Sequence, residues 1–302
     1  MLSKSGNISM GLVAIIAAVC IVGAAAAFYF IGGGVDSDDG LGVVVTIVPQ
    51  MEFAEKVGGD KISVTVMVPA GQSPHDYEPT ATQLQDVADA EIYFEVGSGV
   101  EFETAHLQDL LDVNPQLMVV DCSNNITLME AGNHYTRVEI HGFDPHVWLS
   151  PPNAIKMVEE MTAGLKQLDP ENANYYQSNA DTYIAELEGL HEDIQEQLGP
   201  YEGESFIVQH DSWGYFAHEY GLEQIAVEPF GNTPTATEMA ELVDHAEEYS
   251  VTAIFVSPQF DMSSAEAIAE SVGAEVISAD PLAEDYVTNL RDVADSLEEA
   301  LS

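Results

Sequence analysis

Seven apolar side chains line one stripe of the segment between Asp169 and Gly199: Tyr176, Ala180, Tyr183, Leu187, Leu190, Ile194 and Leu198. Steps of three and four residues put all of them on one face of an α-helix. Asp169-Pro170 supplies a start signal and Gly199-Pro200 a stop. The helix so bounded covers about 29 residues and reaches roughly 43 Å. That is longer than one small domain needs, so the stretch reads as a stiff connector between two lobes.

The flanking sequence agrees with this division. Residues 41–48 (Leu-Gly-Val-Val-Val-Thr-Ile-Val) form a β-branched run, the pattern of a strand buried on both faces. Pro49 ends it, and a short helix through Phe53 and Val57 stops at Gly58-Gly59. Further strands are predicted at 61–68, 91–96 and 116–120, with helices at about 81–89, capped by Thr80, and about 102–111. Residues 122–145 read as an irregular loop. Ser150, followed by Pro151 and Pro152, caps a helix whose inner face is Ala154, Met157, Val158, Met161, Leu165 and Leu168. Beyond the connector, strands at 204–209, 222–227, 252–256 and 274–278 alternate with helices at 213–220 and about 236–249, 263–272 and 284–301. Such alternation builds a parallel sheet covered on both faces. The expected fold class is α/β, with two lobes, each a parallel sheet flanked by helices, and a ligand cleft between them. The expected limits are 41–168 for the first lobe, 169–199 for the connector and 200–302 for the second lobe.

The chain has 302 residues and is 46% hydrophobic, enough for two modest cores. Seven Lys and Arg stand against 52 Asp and Glu, a formal charge of −45. Nucleic acid is excluded as a partner, because phosphate binding needs a basic patch. Self-repulsion on this scale strains a compact fold in low salt, whereas at about 1 M the Debye length shrinks to about 3 Å. The acidity therefore reads as adaptation to high salt. Full folding without salt, followed by circular dichroism, would overturn that reading.

Residues 5–35 carry no charged group. Within them, Leu12 to Ile31 supplies about 20 residues, or about 30 Å of helix, enough to span a bilayer. Lys4 lies on one side and a Gly- and Asp-rich linker, 36–40, on the other. The positive-inside tendency then places the globular part outside the cytoplasm. Residues 1–35 are expected to be a membrane anchor, the alternative being a signal segment cleaved near Ala24–Ala27, which would leave a secreted chain. Cys20 would suit lipidation, but Val19 is bulky where a small residue is expected. Cys122 is the other cysteine, so no internal disulfide is expected, and it reads as a small buried hydrophobe. Asn125-Ile-Thr is a glycosylation sequon on the expected outer side.

Ligands of open α/β sheets bind beyond the carboxyl ends of the strands. Four side chains are expected there. His75 lies in the loop after the 61–68 strand, and His146 in Asp144-Pro145-His146, a loop stiffened by its proline. His210 directly follows the 204–209 strand, and Asp280 lies just past the 274–278 strand. Three neutral imidazoles and a carboxylate make an N3O set suited to tetrahedral Zn²⁺ at about 2.0–2.2 Å. The lack of usable thiolates argues against a soft metal, and three nitrogens argue against Mg²⁺ or Ca²⁺. Each histidine alone would be an ordinary loop residue, and Asp280 before Pro281 also suits a helix N-cap. Their joint placement at strand ends favours the ligand set. Asp144 either braces its own loop or orients a ligand imidazole. His134 and His141 are accessory metal candidates, though both read more readily as solvated loop residues. His106, His191, His218 and His245 fall in predicted helices, and Trp148 and Trp213 read as packing residues.

The motifs Val-Thr-Ile-Val-Pro-Gln, Ser-Pro-His75-Asp-Tyr-Glu-Pro, Asp-Pro-His146-Val-Trp-Leu-Ser-Pro, His210 before Gly-Tyr-Phe-Ala, and Asp280-Pro-Leu carry a family resemblance. Over about residues 41–302 the chain resembles the metal-binding subunits of ABC-type zinc/manganese importers. The resemblance implies two α/β lobes joined by one long helix, with one metal between them at His75, His146, His210 and Asp280. It implies Zn²⁺ as cargo, with Mn²⁺ the alternative, because a histidine at the third position goes with zinc where manganese or iron relatives usually carry Glu. The implied function is an extracytoplasmic, membrane-tethered, monomeric solute-binding protein that delivers Zn²⁺ to an ABC permease and its ATPase. A Mn²⁺/Fe²⁺ importer subunit and a metal-linked surface adhesin are the alternatives. The chain departs from the family in its short loop before His146, which holds only His134 and His141, in its poor lipobox, and in lacking a Trp after Glu101-Phe-Glu. No enzyme is expected: four protein ligands close the metal to water, and neither a His-Glu-x-x-His helix nor a Gly-x-Ser-x-Gly elbow occurs.

Overall fold

A computed structural model describes residues 40–130, 142–228, 234–249 and 251–302. The expected anchor, nearly all of the linker, and the accessory candidates His134 and His141 lie outside the described residues. Among the described residues no helix is long and apolar enough to cross a membrane.

The first half runs β1 (Leu41–Ile47), α1 (Val48–Gly58), β2 (Ile62–Val68), α2 (Ala81–Asp89), β3 (Ile92–Glu95), α3 (Glu101–Val113) and β4 (Met118–Asp121). Two long helices follow, α4 (Pro151–Leu168) and α5 (Ala173–Leu198). The second half runs β5 (Ser205–His210), α6 (Gly214–Tyr220), β6 (Glu223–Glu228), α7 (Ala236–Glu248), β7 (Ala253–Val256), α8 (Ser263–Val272), β8 (Glu275–Ser278) and α9 (Tyr286–Leu301). Both sheets are four-stranded, with orders β2-β1-β3-β4 and β6-β5-β7-β8, and every pairing is parallel. The two orders are the same. In each, successive strands are added on opposite sides of the first one, so a crevice opens at the carboxyl ends beside β1 and β3, and beside β5 and β7. The last five residues of β1 are all buried, as a strand with helices on both faces requires.

The connector is shorter than its sequence pattern suggests. The α-helix holds 26 residues, with 3₁₀ turns at 170–172 and 199–201. Asp169 accounts for the first: its carboxylate accepts from Asn172 Nδ2 at 2.6 Å and Tyr176 Oη at 2.8 Å, which tightens the opening turn. The buried residues of α5 are the seven of the apolar stripe. It packs against α1, α4 and α9.

One core runs from Val43 in β1 through α4 and α5 to Leu297 in α9. A smaller core, including Ile207, Ile225, Ile254, Leu242 and Ile268, covers the other face of the second sheet. The halves are also tied by buried and partly buried hydrogen bonds. Trp148 Nε1 donates to the Pro281 carbonyl at 2.7 Å, and Tyr286 Oη donates to the Trp148 carbonyl at 2.6 Å. Glu52 accepts from Tyr183 Oη at 2.8 Å and from the Tyr286 backbone N–H at 2.6 Å.

Candidate metal centre

Each histidine is held by a different local device. His75 follows β2 in a turn whose root is pinned by Gln83, whose Nε2 donates to the Val66 and Met67 carbonyls at 2.9 and 2.7 Å. His146 sits in a loop braced on three sides. Asp144 Oδ1 accepts from both the His146 backbone N–H at 2.9 Å and its Nδ1 at 2.8 Å. Tyr215 Oη donates to the Asp144 carbonyl at 3.2 Å while accepting from Met129 N–H at 2.8 Å. Ser98 Oγ donates to the Pro145 carbonyl at 2.5 Å. His210 is the last residue of β5, not the first beyond it, and pairs with Glu228.

These three side chains converge. Their ligand atoms lie within 4.8 Å of one another, and His75 Nε2 is 3.2 Å from His210 Nε2. Two nitrogens bound to a tetrahedral Zn²⁺ at about 2.0–2.1 Å stand about 3.3 Å apart, so the spacing fits a shared ion. A carboxylate faces the other ring nitrogen of each: Glu101 Oε1 at 3.1 Å from His75 Nδ1, Asp144 Oδ1 on His146, and Asp211 Oδ1 at 3.3 Å from His210 Nδ1. The first two fix the tautomer that leaves Nε2 bare for a metal. The Asp211 contact is not a hydrogen bond, because His210 Nδ1 has no hydrogen-bond partner among the described residues. The Asp211 charge acts instead on His146, whose pKa it helps to raise.

The electrostatics divide the histidines. Burial drives the His146 pKa down, but the hydrogen bond and charge of Asp144 outweigh it, and the net shift is upward from 6.5. Burial drives the His210 pKa well below 6.5, and the neighbouring His146 and His75 push the same way. Glu101 is raised by burial, yet its bond to His75 and the charge there leave it lowered. A cavity of about 70 Å³ beside the imidazoles is lined by Glu101, Glu130, Asp144 and Asp211, a setting that attracts a small cation.

Asp280 is not in the converging group. Its Oδ1 accepts from Gln259 Nε2 at 2.7 Å and Leu282 N–H at 2.8 Å, and its carbonyl accepts from Asn289 Nδ2 at 2.8 Å. Gln259, Phe260, Pro281 and Leu282 nevertheless line a small space together with all three histidines, so the Asp280 turn borders the site. Glu101 and Gln259 went unseen in the sequence because α3 and the β7 loop meet the histidines only in three dimensions. Asp211 had a signal, its adjacency to His210. Of the two readings open for Asp144, the geometry selects both at once. Cys122 is buried and free, and Trp148 and Trp213 are core residues, as expected.

Known proteins share this architecture. The sequence model of the family described as zinc-uptake complex component A, periplasmic, matches residues 43–300. The high-affinity zinc uptake system protein ZnuA of Bacillus subtilis is 32% identical over 253 residues, covering 80% of this chain and 79% of that protein. The zinc-binding lipoprotein AdcA of Streptococcus pneumoniae is 29% identical over 255 residues, 82% of this chain but 51% of AdcA, so the chain spans about half the length of that relative. A crystal structure of a ZnuA aligns with a TM-score of 0.82 and 39% identity, over 87% of this chain and 100% of that one. The chain belongs to the zinc-uptake complex component A, periplasmic family.

Proposed function

We propose that this chain captures Zn²⁺ outside the cytoplasm and delivers it to an ABC permease and its ATPase. The observation that carries the proposal is the convergence of His75, His146 and His210, with two Nε2 atoms 3.2 Å apart. Each imidazole gives its lone pair from Nε2, and Asp280 supplies a carboxylate oxygen as the fourth ligand. Three nitrogens favour Zn²⁺ over the oxygen-seeking Mn²⁺. Four protein ligands leave no open position for a catalytic water, consistent with a carrier. The ties between Trp148, Pro281, Tyr286 and Glu52 resist separation of the halves, so release follows when the permease pulls them apart. Residues 1–35 hold the monomer at the membrane, and the excess of acids keeps it soluble in concentrated salt.

The test is metal analysis with competitive titration of the full-length chain in high salt. One Zn²⁺ per chain that excess Mn²⁺ does not displace supports the proposal. Preference for Mn²⁺ would keep the site and overturn the cargo, and absence of any tightly held metal would sink both. Cells lacking the chain should grow poorly when zinc is scarce. Normal growth with loss of surface attachment would point to the adhesin reading instead.

A further inference from the structure

Gln259, the third residue past β7, has a role that zinc capture alone does not explain. Its side chain reaches Asp280 Oδ1 at 2.7 Å, and the Leu282 backbone N–H reaches the same oxygen at 2.8 Å. An ionised carboxylate only accepts, so the amide end facing it is the NH₂. That orientation turns Gln259 Oε1 into the protein, where it is buried with no hydrogen-bond partner among the described residues. A buried orphan acceptor is costly, and an apolar residue of similar size would avoid the cost. The neighbouring Phe260 packs its ring 4.6 Å from that of His210 and 5.9 Å from that of His75. Gln259 and Phe260 thus wall the small space that the imidazoles share with the Asp280 turn.

With Asp280 read as the fourth ligand, we propose that Gln259 sets metal preference by holding Asp280 to one coordinating oxygen. Both donors fall on Oδ1, so Oδ2 is the oxygen left to meet a cation. A carboxylate with two bare oxygens chelates through both and adds a fifth contact. Zn²⁺ is satisfied by four ligands, whereas Mn²⁺ favours more oxygens and a higher coordination number. Gln259 does not touch the metal. It acts through Asp280, as outer partners of metal ligands do.

The experiment uses the full-length chain and compares wild type with Gln259→Leu, Gln259→Met and Asp280→Asn. Both Gln259 variants keep the bulk of the side chain and remove the donor, and the second serves if the first does not fold. Zn²⁺ and Mn²⁺ affinities are measured by competition, and the visible spectrum is recorded with Co²⁺ bound. The Gln259 variants should lose about tenfold in Zn²⁺ affinity, the low end for an outer partner, while Mn²⁺ binding holds or rises. The strong visible bands of four-coordinate Co²⁺ should weaken as a fifth contact forms. An unchanged Zn²⁺/Mn²⁺ ratio and Co²⁺ spectrum would overturn the role of Gln259. Asp280→Asn separates the two levels. Wild-type zinc affinity in that variant removes Asp280 from the centre and Gln259 with it. Severe loss there, with Gln259 variants unchanged, defeats only the selectivity role.

Discussion

His146 and His210 are both buried, and each comes from a different half of the molecule, yet their surroundings pull them in opposite directions. The first half gives His146 a hydrogen-bonded carboxylate, which steers the ring and raises its proton affinity. The second half gives His210 a dry wall of strand and Phe260, which keeps the ring neutral. One side of the crevice therefore supplies orientation and the other supplies a lone pair that needs no deprotonation. Of these two rings, His146 is the one at which protons compete with a metal.

The largest effect should come from removing either ring. Structural Zn²⁺ sites hold about 10–16 kcal/mol over their ligands, so His146→Ala or His210→Ala should weaken zinc binding about 10²–10³-fold by competitive titration. A variant with wild-type affinity would remove its residue from the centre. Acid comes next. His146 keeps its proton to a pH above 6.5 and a metal needs its lone pair. Zinc affinity should therefore fall about tenfold per pH unit once the pH drops below that raised value. His210, already neutral, should add nothing until well below 6.5. Affinity that stays constant from pH 8 to pH 5 would contradict the division.

Asp144→Asn sharpens the comparison, because it should cost about 10–100-fold in affinity and move the acid fall-off to lower pH. Glu101→Gln should cost no more than about tenfold, the bottom of that range, since its side chain is 49% exposed and water replaces part of its contact with His75. The smallest effect on metal should come from Trp148→Phe. It leaves the Pro281 carbonyl without its donor and should lower stability by about 1–2 kcal/mol in denaturant unfolding, with the histidines intact.

Much of the fold was legible because it rests on periodicity. The seven-residue stripe of α5 is its buried face, and all eight strands fall within two residues of their β-branched runs. The start of α5 was misread because the side chain of Asp169 reshapes the first turn, which apolar spacing does not report. The three histidines were legible because strand ends collect ligands, and each sits in or beside a strand-end loop. Glu101, 26 residues beyond His75, and Gln259, 21 before Asp280, were not. Their roles depend on how α3 and the β7 loop pack against the site. Nothing in a one-dimensional pattern marks one carboxylate among 52 acidic residues as the partner of an imidazole.

The most direct test is zinc X-ray absorption on the full-length, metal-loaded chain. Scattering from three imidazoles plus one oxygen, with no sulfur, is the result this account predicts. Two imidazoles or fewer, or a sulfur ligand, would contradict it.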